Sequence, residues 1–143
     1  MTNKKLLLGL STILLILSCS IAYGGVSNWP LRGSIDLSSG FGDYRSARFH
    51  AGLDLRTGGV PGSPVYAPAD GYIWRVKMAY DGYGKGLYVK GTDGYIYVFG
   101  HLQRFADQLD RLVKLEQLAK KRYYIELEFP ADSIKVKAGE LLA

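Results

Sequence analysis

The chain has 143 residues, 48% of them hydrophobic and 22% charged, with a formal net charge of +5. That length suits one domain rather than two and buries a core without disulfide help, and the lone cysteine, Cys19, excludes an internal disulfide. Eighteen glycines and eleven tyrosines point to strands joined by tight turns rather than to a helical bundle.

The first segment stands apart from any fold. Lys4 and Lys5 precede an apolar run from Leu6 to Leu17, and the small residues Ser18, Cys19, Ser20, Ala22 and Gly24 follow. A basic tip, a short apolar core and a small-residue zone form a secretory signal peptide over residues 1–24. The run is shorter than the roughly 20 residues a membrane-spanning helix needs. Cleavage after Ala22 or Gly24 fits. The alternative is a lipoprotein signal at Ile16-Leu17-Ser18-Cys19, which attaches the protein to a membrane through an acylated Cys19. Either route exports the chain to the cell envelope, periplasmic or extracellular. Without Lys4 and Lys5 the bases still outnumber the acids, which suits an anionic envelope; no nucleic-acid partner is expected.

From Trp29 onward the chain reads as short strands and turns. Asp70-Gly71, Asp81-Gly82 and Asp93-Gly94 are turn signals. Between them lie Tyr72 to Val76, Leu87 to Lys90 and Tyr95 to Phe99, rich in aromatic and β-branched residues and of strand length. This pattern predicts a mainly β, antiparallel fold. One stretch breaks it. Phe105, Leu109, Leu112, Val113 and Leu118 recur at helical spacing, which predicts one amphipathic helix over about 105–122, inserted between late strands with its apolar face on the sheet. Glu116 and Lys120 can pair there, and Lys120, Lys121 and Arg122 suit its C-terminus. Strand character returns from Tyr123 to Phe129; Pro130 to Ser133 turns, and Ile134 to Val136 begins another strand.

Two histidines exist, His50 and His101. His50 precedes Asp54 by four residues with Gly52 between, so a nitrogen and an oxygen donor can be presented together, and zinc takes both types. A histidine hydrogen-bonded at a turn explains the same spacing. The flanking blocks add weight: Ser39-Gly40-Phe41-Gly42-Asp43-Tyr44-Arg45 before the pair, and Gly62-Ser63-Pro64-Val65-Tyr66-Ala67-Pro68-Ala69-Asp70-Gly71 after it. Gly82-Tyr83-Gly84-Lys85-Gly86 and Tyr97-Val98-Phe99-Gly100-His101-Leu102 come next.

In order and spacing these blocks resemble the lysostaphin-type, or LytM-type, zinc metalloendopeptidases, over about residues 29 to 143. The resemblance implies a peptidase domain over 25–143 with the duplicated-hybrid-motif type of antiparallel sheet. It implies His50 and Asp54 as zinc ligands and His101 as a catalytic histidine beside the metal, which positions the attacking water or stabilises the charged intermediate. It implies Zn²⁺ as cofactor and peptidoglycan as partner, with cleavage in stems or cross-bridges next to glycine or D-alanine. The family's third ligand lies in a His-x-His signature that these residues lack. Lys137 to Ala143 resembles the strand leading into it, so the domain is expected to be C-terminally incomplete and inactive as it stands. A non-catalytic relative, acting as a cell-wall-binding module or an amidase activator, is the alternative. Tyr80, Tyr83, Tyr88, Tyr95 and Tyr97 either floor a substrate groove or pack sideways along strands. Arg45 is either a holder of a substrate carboxylate or an ordinary surface arginine.

Overall fold

The computed structural model describes residues 28–33, 35–131 and 133–143. The signal-peptide and lipoprotein readings, Cys19 included, fall outside the described residues. The fold is mainly β and antiparallel, with one helix among the described residues.

Four short strands come first: β1 (Leu37–Ser39), β2 (Tyr44–Arg45), β3 (Arg48–Phe49) and β4 (Asp54–Leu55). They form two small sheets, β1 with β4 and β2 with β3. The main sheet follows, from β5 (Gly71–Met78), β6 (Lys85–Gly91), β7 (Ile96–Phe99), β8 (Ile125–Glu128) and β9 (Lys135–Val136). Its order is β7-β6-β5-β8, with β9 also on β5. Strand β5 is therefore paired on both edges. Its whole length faces β6, while β8 takes Arg75 to Met78 and β9 takes Gly71 and Tyr72 on the other side.

The turn signals make hairpins at two of three places. Asp81-Gly82 turns β5 into β6, with Gly82 at φ 59°, and Asp93-Gly94 turns β6 into β7, with Gly94 at φ 87°. Asp70-Gly71 does not make a hairpin turn. Gly71 opens β5, where a Cβ would lie 2.1 Å from the Lys90 carbonyl oxygen. Glycine is needed there for closeness of approach, not for a turn.

Strand β5 also departs from simple alternation. Ile73, Val76 and Met78 are buried, a 3-then-2 spacing that a regular strand cannot give. A bulge between Ile73 and Arg75 supplies the extra residue. It turns Trp74 and Arg75 to the same outer face, where the Arg75 guanidinium lies 4.6 Å from the Trp74 ring and pairs with Glu128 at 2.7 Å.

Helix α1 (Asp107–Lys120) covers the inner face. Phe105, Leu109 and Val113 enter the core with Val76, Leu87, Val89 and Ile125. Asp107 and Asp110 favour the positive end of the helix dipole, and Lys121 closes the C-terminus in a left-handed conformation. Glu116 and Lys120 pair as their spacing predicts. The apolar face is narrower than the sequence pattern implies: Leu112 is only partly covered and Leu118 is exposed.

Asp70 ties the start of β5 to the turn after β9. It accepts from the Ala138 N–H and from Lys137 Nζ, each at 2.9 Å. The Ala138 N–H first, and Lys137 second, hold its carboxyl below its ordinary value of 3.8.

Two outcomes follow from this packing. Gly71→Ala is expected to cost about 3 kcal/mol, because its Cβ meets rigid backbone. Gly94→Ala, with open space around it but a positive φ, is expected to cost about 1 kcal/mol. Urea midpoints measure both, and equal costs would contradict the close approach at Gly71. A depressed carboxylate contributes stability that is present above its unfolded value and lost as pH falls through the folded one. The acid limb of stability below about pH 4 should therefore be shallower in Asp70→Asn than in wild type. Denaturant midpoints across that range test the difference.

Candidate functional site

Short-range pairing brings the first half of the site together. The hairpin of β2 and β3 turns at Ala47, φ 72°. Its ladder continues outward, the Gly42 N–H donating to the His50 carbonyl and the His50 N–H to the Asp43 carbonyl, both at 2.8 Å. His50 is thus fixed just beyond β3. Asp54 begins β4 and lies opposite Ser39 of β1. Ser39 stands beside both: its hydroxyl is 3.3 Å from His50 Nδ1 and donates to Asp43 Oδ2 at 2.9 Å. The Gly40 N–H donates to the same Asp43 oxygen at 2.7 Å. These two contacts, the Gly40 one first, hold the Asp43 carboxyl below its ordinary value.

The hydrogen bonds of His50 set its tautomer. Nδ1 lies 2.8 Å from the Gly40 carbonyl oxygen. A carbonyl only accepts, so the proton belongs on Nδ1, and in the neutral ring Nε2 keeps a lone pair. That lone pair faces Asp54 Oδ1 at 3.3 Å. Asp54 Oδ2 is engaged separately by the Arg45 guanidinium. Two acceptors therefore face each other, and only a proton or a cation reconciles them.

The pair has the chemistry of a zinc half-site. Bonds of about 2.0–2.2 Å to nitrogen and oxygen, spread at a tetrahedral angle, put the two donors about 3.4 Å apart. A ligating histidine ordinarily gives its other ring N–H to a carbonyl, as His50 does to Gly40. The set is nonetheless short. Among the described residues no three His, Cys, Asp or Glu side chains gather closely enough to hold a metal ion.

His101 comes from the other side. It follows β7 in a left-handed conformation, φ 57°, which a non-glycine residue adopts at a cost of order 1–3 kcal/mol. Three contacts hold it there. Its N–H donates to the Tyr83 carbonyl at 2.8 Å, the Leu102 N–H reaches the Lys85 carbonyl at 3.2 Å, and Lys85 Nζ binds the Gln103 carbonyl. Gly100 lets the Tyr83 ring close in, since a Cβ would lie 2.8 Å from Tyr83 Cδ1.

His50, Asp54 and His101 line one cleft of about 1490 Å³. That exceeds the usual few hundred to about 1,000 Å³ of a small-molecule pocket and suits an extended ligand. Arg48 adds positive charge to the cleft, Arg45 and Arg104 pair with Asp54 and Asp107 of the same lining, and Phe49 and Leu53 give it apolar surface. Of the five tyrosines singled out in the sequence, Tyr83 and Tyr97 line the cleft. Tyr88 packs edge-on against Trp74, Tyr80 stacks on Tyr123, and Tyr95 tilts against Tyr97. Burial first, and the bond from its hydroxyl to Asp93 at 2.5 Å second, push the Tyr97 phenol up to about 12. It stays protonated at neutral pH and cannot serve as a base.

Sequence reading underrated Arg45, whose default there is a surface arginine. The structure binds it to Asp54. The signal available was its place at the end of the Ser39-to-Arg45 block, directly before the turn of the hairpin that leads to His50. Ser39 carried no signal of its own, because its role comes from lying opposite Asp54 across a ladder.

The model of peptidase family M23 matches residues 48–123. The chain is similar to the cell division protein DipM of Caulobacter vibrioides (strain NA1000 / CB15N), 33% identical over 86 residues. The match covers 60% of this chain and 14% of that protein, so the chain spans a small part of its relative's length. No solved structure matches it.

The strain at His101 is testable apart from activity. His101→Gly should stay within about 1 kcal/mol of wild-type stability, since glycine adopts a positive φ freely. His101→Val should lose about 2 kcal/mol, because a β-branched residue is disfavoured there. Thermal unfolding of the two variants gives the comparison, and a stable valine variant would contradict the left-handed geometry.

Proposed function

This chain belongs to peptidase family M23, and from that premise we propose that it is a zinc-dependent endopeptidase of the cell envelope that cuts peptide bonds in peptidoglycan stems or cross-bridges. The observation carrying the reading is the facing pair of His50 Nε2 and Asp54 Oδ1, 3.3 Å apart, in a cleft shared with His101. In this reading residues 25–143 are the peptidase domain, and His50 and Asp54 hold Zn²⁺. The ion, when bound, polarises the scissile carbonyl and lowers the pKa of its water towards about 7.

The chain's own residues do the rest. Gly40 and Ser39 fix the His50 tautomer that leaves Nε2 free. Arg45 holds one oxygen of Asp54 and leaves the other for the metal. His101 lies in reach of the cleft to take a proton from the attacking water or to stabilise charge on the intermediate. The open cleft, with apolar surface from Phe49 and Leu53 and a cation at Arg48, admits an extended peptide bearing a carboxylate. No His-Glu-x-x-His occurs, so a helical glutamate base is not part of the scheme.

A second reading is favoured by one observation, the two-donor set. In it the same cleft binds wall peptide without cutting it. The readings separate on purified peptidoglycan, using these 143 residues and the longest product of the same reading frame, each supplied with Zn²⁺. Release of new amino termini supports the enzyme; retention on the wall without release supports the binding module.

Within the enzyme reading, in the product extended to full domain length, His50→Ala should lose zinc after dialysis together with all cleavage, because a site deprived of one ligand does not keep its ion. His101→Ala should retain the zinc of its parent and lose about 10²–10⁴-fold in rate. Metal analysis alongside hydrolysis checks both, and loss of zinc from the His101 variant alone would reverse the two roles.

A further inference from the structure

Beyond its first turn, the face of α1 turned away from the sheet plays no part in the cleft. At about 100° per residue, Phe105, Leu109 and Val113 share the inner side and Leu118 lies opposite them. Leu115 lies beside Leu118, and Arg111, Lys114, Lys121 and Arg122 surround the two. Leu115 is 65% exposed and Leu118 is 73% exposed. Tyr123 follows the helix and stacks on Tyr80, ring centroids 4.4 Å apart, and Tyr80 is 83% exposed. A shallow depression joins Leu118 to Lys114, Lys121 and Tyr123.

The charges here are unbalanced. Among the described residues no ion pair involves Arg111, Lys114, Lys121 or Arg122. Of the helix acids, Glu116 is bound to Lys120 and Asp107 lies 3.9 Å from Arg104, while Asp110 sits in the first turn, one turn before Lys114, so the four cations outnumber the acids beside them. An apolar centre ringed by cations and edged by tyrosine needs a partner that is anionic in a plane and apolar beneath it.

We propose that the outer face of α1, from Arg111 to Tyr123, docks on an anionic phospholipid surface. Leu115 and Leu118 enter the boundary between headgroups and acyl chains, Tyr80 and Tyr123 lie at headgroup level, and the four cations meet lipid phosphates. A soluble polyanion would satisfy the cations and leave the leucines in water. None of the seven patch residues (Arg111, Lys114, Leu115, Leu118, Lys121, Arg122 and Tyr123) lines the cleft, so docking keeps the cleft open to a wall beside the membrane. The proposal stands independently of whether the cleft cuts or only binds.

The test needs a local probe, because the Leu6 to Leu17 run by itself gives the full chain affinity for lipid. A nitrobenzoxadiazole label is placed on Leu118→Cys in the full chain carrying Cys19→Ser, and in a second sample on Val60→Cys at the cleft. Vesicles of phosphatidylcholine alone are compared with phosphatidylcholine mixed with phosphatidylglycerol. The label at position 118 should brighten several-fold and shift to the blue on the anionic vesicles only, while the label at position 60 stays in water. Lys114→Gln and Lys121→Gln should each weaken the response about fivefold, and Leu115→Ala should weaken it further. All three positions are exposed, so folding is not at stake, and circular dichroism verifies it. A label at position 118 that stays in water on vesicle-bound protein overturns the proposal. So does an equal response to neutral vesicles, or the same response to inorganic polyphosphate without lipid.

Discussion

Strand β5 is the constraint on which the rest depends. Its backbone donors and acceptors are taken on both edges, by β6 along its length and by β8 and β9 in succession on the other side. A strand so placed leaves no choice of register to its neighbours. Moving it by one residue would expose Ile73, Val76 and Met78 and bury Lys77, together with Trp74 in one direction or Arg75 in the other. Gly71 sets one end of that register, because only glycine lets the Lys90 carbonyl come so close. The helix then has one place to lie, over the apolar inner face, and the loop that bears His101 is drawn against the β5–β6 hairpin through Tyr83 and Lys85.

The site is built where this rigid sheet meets two small, weakly buried ones. The His101 half is anchored by Phe99 and Leu102, which pack against the core, whereas Phe49 and Leu53 beside His50 are exposed. His50 and Asp54 are kept at 3.3 Å by backbone ladders that end beside them, by the Gly40 carbonyl and by Arg45. Holding two acceptors face to face costs electrostatic energy unless a cation lies between them. His101 stores strain of another kind, a left-handed backbone fastened by three hydrogen bonds in its loop. Both features place free energy at the cleft that the core of β5, β6, β8 and α1 must offset.

The helix separates two surfaces of unlike chemistry. Its N-terminal end, at Phe105 and Asp107, borders the cleft, while its C-terminal half presents leucines and unpaired cations to solvent. Leu115 and Leu118 add helix propensity but no contact with the sheet. Their exposure, together with the concentration of basic residues around them, gives the insertion a surface chemistry that core packing does not require.

Much of this was legible along the chain. Tyr72 to Val76, Leu87 to Lys90 and Tyr95 to Phe99 announced β5, β6 and β7, because aromatic and β-branched residues suit a pleated surface and Asp-Gly pairs suit the turns between them. The helix was legible from the spacing of Phe105, Leu109 and Val113, and the candidate ligands His50 and Asp54 and the candidate catalytic His101 from the blocks around them. The sequence by itself thus determined the element types, the turns at Asp81-Gly82 and Asp93-Gly94, and the inventory of chemical groups, since these rest on local preference. The tertiary structure alone decided the bulge at Trp74, the close approach at Gly71, the grip of Arg45 on Asp54 and the place of the Ser39 hydroxyl between His50 and Asp43. It alone left Leu118 in water while burying Leu109. Each of these depends on what another strand brings alongside, and a local pattern carries no record of its neighbour across the ladder.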